Sequence, residues 1–159
     1  MIDVVPATPQ DVPALVDLLE EMDRFYGETH FDPREQRTAQ VTELLFGDLP
    51  PARVLLAKDN THVVGFAAYT FLWPAVGITR SLYLKELYVR QAQQRRGIGT
   101  TLMRALADIA VEHRCSRLEW TTDRDNSDAQ KFYSRLPAPI HNGKLFYRLD
   151  TDEIANVAG

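Results

Sequence analysis

Apolar positions recur along this chain with two periods, and each change of period marks an element. Residues 2–5 (IDVV) read as a short strand. In "TPQD", Thr8 is placed as an N-cap, Pro9 at the first helical position and Asp11 in the first turn. The helix that follows has its apolar face on Val12, Leu15, Val16, Leu19 and Met22 and is expected to stop near Gly27. "YGETHFDP" is a loop, and residues 33–46 form a second, weaker helix. "RVLLAKD" and "HVVGFAAYTFL", separated by the tight turn Asn60-Thr61, have the β-branched and aromatic content of two paired strands; "WPAVGITR" then breaks the pattern.

The third sheet segment, "SLYLKELYV" at residues 81–89, is irregular. Its aliphatic positions are Leu82 and Leu84, then Leu87 and Val89, so the phase slips by one at Lys85-Glu86. Strand side chains alternate between faces, and a β-bulge supplies the extra residue that such a slip requires. A strand that ends early, or one buried on both faces, gives the same pattern.

Residues 99–114 read as the clearest helix, with Leu102, Ala105, Leu106, Ile109, Ala110 and His113 at helical spacing, and "RLEWTT" at 117–122 as the next strand. "DRDNSDAQKFYSRLP" offers Ser127 and Gln130 as a capping box, a stripe of Ala129, Phe132 and Leu136, and Pro137 as terminator. "KLFYRL" at 144–149, after the turn pair Asn142-Gly143, is expected to close the sheet. This alternation indicates a mixed α/β (α+β) sandwich.

Composition narrows the reading. With 159 residues and 45% hydrophobic content, residues 1–159 suffice for one buried core and are expected to form a single domain. The net charge of −4 argues against a nucleic-acid partner held by counterion release. Cys115 is the sole cysteine, so neither an internal disulfide nor a multi-thiolate metal site is expected. No apolar run approaches the roughly 20 residues that cross a bilayer, so no membrane partner is expected and a reducing cytoplasm fits best.

The segment "QRRGIG" at 94–99 stands between strand and helix. It lacks the Gly-Lys-Ser/Thr ending of a nucleotide P-loop, and Leu102 occupies the place of a dinucleotide fingerprint's third glycine. Gly97 and Gly99 still permit close backbone approach to an anion, at a helix start where N–H groups and dipole are favourable. Arg95 and Arg96 add cationic donors. A diphosphate is the natural guest; an ordinary glycine loop with solvated arginines is the alternative.

"LYLKELYVRQAQQRRGIGTTLMRALADIA" resembles the acyl-CoA-binding core of the GNAT N-acetyltransferase superfamily, whose Arg/Gln-x-x-Gly-x-Gly/Ala pattern is met by Gln94, Gly97 and Gly99. The resemblance runs on through "CSRLEWTTDRDNSDAQKFYSRL" and weakly to "KLFYRLD", covering roughly residues 64–149, and is most similar to the diamine and thialysine acetyltransferases. It implies a mostly antiparallel sheet with a bulged, splayed central strand and helices on both faces.

The same resemblance implies acetyl-CoA as cofactor. Its diphosphate would lie on the backbone amides of Arg95, Arg96, Gly97, Ile98, Gly99 and Thr100, and its pantetheine arm along Leu87, Tyr88 and Val89. Asn126 would hydrogen-bond the cofactor, and Tyr133 would stand near the sulfur as general acid, although a tyrosine beside an apolar stripe also serves simply for packing. An N–H near Tyr88 or Val89 would face the developing oxyanion. Glu86 would act as base, unless it pairs with Lys85 or Arg90 or is merely solvated.

A small-molecule primary amine attacking directly in a ternary complex is the implied chemistry, in a homodimer. Tyr26, Glu28, His30, Asp32 and Trp73 are candidates for the acceptor pocket. Polyamine-acetylating relatives place a carboxylate where this chain has Lys85, and a cation there should repel a polycationic substrate. Pro137, where relatives usually have glycine, is a second departure. A non-catalytic acyl-CoA-binding module and a protein-directed acetyltransferase remain as alternatives.

Overall fold

The computed structural model describes residues 1–159. Contacts divide the chain into two compact units, Met1–Thr121 and Thr122–Gly159. In the first, a five-stranded sheet has the order β1 (Ile2–Pro6), β2 (Arg53–Asp59), β3 (His62–Leu72), β4 (Ser81–Val89) and β5 (Arg117–Trp120). The first four strands are antiparallel, and β5 runs parallel to β4. A parallel return needs a long crossover, and helix α3 (Ile98–Glu112) provides it.

Thr8 and Asp11 cap each other reciprocally around a short 3-10 turn, from which α1 (Val12–Phe25) continues; α2 (Arg34–Phe46) follows the loop. Partly buried Lys58 anchors this turn to β2 through Asp11 at 2.7 Å. Burial opposes ionisation of Asp11, yet the Lys58 ammonium and two bonds from Thr8 hold its carboxyl below the usual range. Leu15, Leu18 and Met22 of α1 pack with Val54, Leu56, Phe66 and Tyr88 on one face of the sheet. On the opposite face α3 buries Ile98, Leu102, Met103, Leu106 and Ala110. Leu18 and Met103 join the core although the spacing argument passed over them.

Gly65 sets how closely β3 lies against β4. A Cβ there would stand 2.9 Å from the Tyr88 carbonyl and 3.3 Å from the Val89 side chain, so a side chain at this position would push the two strands apart.

The second unit contains α4 (Ser127–Tyr133) and α5 (Thr151–Ala158). The cap of α4 is Asn126, whose Oδ1 accepts from Ala129 N at 3.1 Å, and not the expected Ser127-Gln130 box. Gln130 instead donates to the carbonyls of Asp123 and Arg124. Residues 144–149 do not close the sheet as expected. A strand-like pattern becomes a strand only where a neighbour accepts its hydrogen bonds; none of the five strands pairs with this segment, and Leu145, Phe146 and Tyr147 are exposed. Helix α5 went unpredicted, although Asp150 and Glu153 form a capping box that the sequence displays.

Candidate active site

The site is built around β4. Ala68 of β3 pairs with Glu86 and Tyr69 pairs with Leu84, leaving Lys85 as the extra residue of a bulge. Leu82, Leu84, Leu87 and Val89 therefore stay on the α3 face, and Glu86 and Tyr88 turn toward α1. The phase slip in the sequence is this bulge.

Pairing between β4 and β5 runs from Ser81 with Arg117 to Leu84 with Trp120 and goes no further. Beyond the bulge, β4 has a neighbour on one side only. Arg90 N donates to Val64 O at 2.9 Å in the register that pairs Tyr88 with Phe66. Antiparallel ladders alternate bonded and non-bonded pairs, so the N–H groups of Tyr88 and Glu86 are spent on β3. Leu87 and Val89 direct theirs to the open edge. Of the two backbone donors named from the sequence for the oxyanion, the ladder commits Tyr88 and leaves Val89.

The turn after β4 is fixed at both ends. Gln94 Nε2 donates to Val89 O at 3.1 Å, tying the turn back to the open edge. Arg95, at φ 66°, and Gly97, at φ 78°, are both left-handed. Gly97 is the N-cap of α3, and its carbonyl receives Thr101 N, the first bond of the helix. The N–H groups of Ile98, Gly99 and Thr100 have no acceptor within the helix. Ile98 is buried and pins this end to the sheet. Together the turn presents amides and the positive helix end to an anion, with Thr100 half-buried beside them.

The two arginines differ. Arg96 pairs with Asp59 at 3.2 Å and with Gln93, so it braces the turn against the end of β2. That guanidinium and the chain N-terminus hold the Asp59 carboxyl below its ordinary range. Arg95 is exposed and makes no ion pair, which leaves it available to a ligand phosphate.

The acceptor candidates fall into separate local structures. Glu28 accepts from the N–H groups of His30 and Thr29, which lower its pKa, and His30 Nδ1 lies 3.0 Å from Thr29 Oγ1. The Asp32 carbonyl receives Arg37 Nε at 2.9 Å. Tyr26 stacks edge-on against Phe25 at 5.3 Å. Trp73 belongs to another turn, where its Nε1 donates to Ile78 O at 3.0 Å. Lys85 is exposed at the bulge, and Glu86 beside it is half-buried. Asn126 and Tyr133 lie in the second unit, Asn126 as the cap of α4 and Tyr133 in its last turn.

No group of three or more His, Cys, Asp and Glu side chains is arranged to hold a metal ion, and no helix is long and apolar enough to cross a membrane. Sequence reasoning missed Glu21, a carboxylate on the buried side of α1 three residues after Leu18, and Gly65, whose lack of a side chain lets β4 lie close at Tyr88. An acid at helical spacing from core leucines was the available signal.

A bulged strand that parts from its parallel neighbour, followed by a glycine turn opening a helix, defines an acetyltransferase fold. The chain belongs to the acetyltransferase (GNAT) family, whose profile matches residues 15–136. It is 27% identical over 158 residues to spermidine/spermine N(1)-acetyltransferase-like protein 1 of Homo sapiens, a match covering 93% of this chain and 22% of that protein. With thialysine N-epsilon-acetyltransferase of Mus musculus it shares 28% identity over 125 residues, covering 72% and 73% of the two chains. The chain thus spans about a fifth of the first relative's length.

Among solved structures, an integron cassette protein from the mobile metagenome of V. cholerae superposes with a TM-score of 0.92 at 29% identity, covering 99% of this chain and 97% of that one. An aminoglycoside N-acetyltransferase in complex with CoA shares the fold at a TM-score of 0.75 and 17% identity, covering 95% and 96%. GNAT acetyltransferases use acetyl-CoA.

Proposed function

We propose that this protein transfers an acetyl group from acetyl-CoA to a primary amine of a small molecule, by direct attack in a ternary complex. The observation that carries this reading is the open edge of β4 at Leu87 and Val89, joined through Gln94 to the amide-lined start of α3. Extended chain and diphosphate match these two features, and Leu87, Val89, Arg95, Gly97, Ile98, Gly99 and Thr100 would hold them. Bound acetyl-CoA supplies an activated acyl thioester.

The chain's own groups then do three things. Val89 N–H donates to the carbonyl oxygen as negative charge develops there. Glu86, at the bulge, takes the proton of the attacking amine, directly or through water. Tyr133 returns a proton to the departing thiolate, its phenol hydroxyl being the proton donor. The assignments of Tyr133 and Asn126 rest on their place in the family pattern. Names of the relatives support amine acceptors, and the exposed Lys85 cation disfavours long polycations. Assembly as a homodimer in the cytoplasm belongs to the same proposal.

The test is release of CoA thiol with free amino acids, polyamines and aminoglycosides as acceptors, run for wild type and Tyr133→Phe. Turnover by wild type, with a loss of about 100-fold or more in kcat and a nearly unchanged acetyl-CoA Kd in the variant, is expected. Tight acetyl-CoA binding without turnover on any amine would instead make the protein a sensing module.

A further inference from the structure

Strand β3 carries an irregularity of its own beside the open edge of β4. Lys58 of β2 pairs with Val63 and Ala57 pairs with Gly65, so Val64 is the extra residue of a bulge. Successive carbonyls of a regular strand point to opposite edges. At this bulge two successive ones serve the same residue. Arg90, just past β4, donates its backbone N–H to Val64 O and its side-chain Nε to Val63 O, both at 2.9 Å. Val63 is buried, and its carbonyl would be costly to leave without a donor. The far end of the guanidinium reaches Glu21 of α1 at 3.6 Å, a longer contact than either bond to β3.

These bonds hold the end of β4. The peptide between Val89 and Arg90 is gripped from both sides, its N–H by Val64 O and its carbonyl by Gln94 Nε2 at 3.1 Å. The preceding peptide, between Tyr88 and Val89, has its carbonyl on the β3 side, close to Gly65, and its N–H on the open edge. With the planes on both sides of the Val89 Cα fixed, the direction of the Val89 N–H is fixed too. Strand β5 adds nothing here, because its pairing with β4 stops at Trp120 opposite Leu84. Arg90 therefore stiffens the second half of β4 where a neighbouring strand stiffens the first.

We infer that Arg90 is a positioning residue for acetyl transfer: its Nε, seated on the Val63 carbonyl, sets the orientation in which the Val89 N–H meets the developing oxyanion. This inference rests on the acetyl-transfer reading. An oxyanion donor acts only when it is held where the charge forms, so its displacement shows in turnover. Binding of acetyl-CoA changes little, because the amides of residues 98–100 belong to α3 and keep their places.

The experiment changes the group at one atom position. In Arg90→Gln the amide Nε2 falls at the place of the arginine Nε and still donates to Val63 O, without positive charge; in Arg90→Met a methyl group falls there and donates nothing. For wild type and both variants, kcat and the KM for acetyl-CoA are measured below the melting temperature of each, with the best acceptor among free amino acids, polyamines and aminoglycosides. Arg90→Met should lose about 10- to 100-fold in kcat with a KM for acetyl-CoA within about threefold of wild type, and Arg90→Gln should stay within about fivefold of wild type in both. Arg90→Lys keeps the charge but has a methylene at the Nε position; it should behave as Arg90→Met does, and it replaces that variant if Arg90→Met does not fold. A kcat near wild type in Arg90→Met overturns the inference. So does Arg90→Gln as slow as Arg90→Met, which would make the charge the operative feature, and so does a KM that rises as far as kcat falls, the mark of a distorted fold. Absence of turnover by wild type on every amine defeats the acetyl-transfer reading instead. The positioning is then judged by amide exchange at Val89 with added acetyl-CoA: slowing in wild type and Arg90→Gln but not in Arg90→Met supports it, and any other pattern overturns it.

Discussion

The two halves of β4 share one strand and one kind of sequence, yet have different neighbours. Ser81–Leu84 is flanked by β3 and β5, and its Leu82 and Leu84 are almost wholly buried. Glu86–Val89 is flanked by β3 alone, with Leu87 half-buried. One inserted residue, Lys85, separates a half that stabilises the sheet from a half that leaves backbone donors for a ligand. A fold can thus keep its core continuous on one face and open its edge at the same point, because a bulge restores side-chain phase while ending the ladder on one side.

The comparison breaks if the two halves respond alike to truncation. Leu84→Ala should cost about 2–5 kcal/mol in urea unfolding, and Leu87→Ala clearly less, since its side chain leaves a smaller void. Equal losses would mean that the second half is as structural as the first. Gly97→Glu should weaken acetyl-CoA binding by about 100-fold or more in isothermal titration: a carboxylate about 4 Å from a phosphate is repelled by about 4 kcal/mol at an effective dielectric near 20. A Cβ at Gly97 meets nothing within 4 Å, but any side chain at φ 78° strains the turn, so Gly97→Ala, which adds the strain without the charge, should weaken binding clearly less.

Alkaline titration tests the second half by itself. The Tyr88 phenol is raised from 10 to about 12 in the fold, first by burial and then by Glu21. A raised folded-state pKa means stability fully present below pH 10 and lost as pH climbs through about 12, a decline of order 2 kcal/mol that Tyr88→Phe should remove. Amide hydrogen exchange gives the finest division. Leu82 and Leu84 should be protected with or without CoA, whereas Leu87 and Val89 should exchange readily and slow by about tenfold when CoA is added.

Much of this was legible in the sequence, for identifiable reasons. The break of period at Lys85-Glu86 located the bulge because alternation is a property of the strand itself. Gly97 and the helix after it were legible because left-handed backbone and capping are local. Asn126 was missed as the cap of α4 because Ser127 is an equally good capping residue one position later, and only backbone geometry separates them. The segment at 144–149 has strand character in its residues, but its exposed Leu145, Phe146 and Tyr147 find no ladder among the five strands. Arg95 and Arg96 look equivalent in sequence; Asp59, a residue distant in the chain, takes Arg96 and leaves Arg95.

The sequence by itself determined the periods, the Thr8-Asp11 cap, the position of the phase slip and the glycine turn, since each depends on residues within a few positions of one another. Tertiary structure decided which backbone groups of β4 remain open, which arginine is free, and that Glu21 meets Tyr88. Those outcomes depend on where β5 stops, where β2 ends and where on the sheet α1 docks, and pairings between distant segments leave no trace in local spacing.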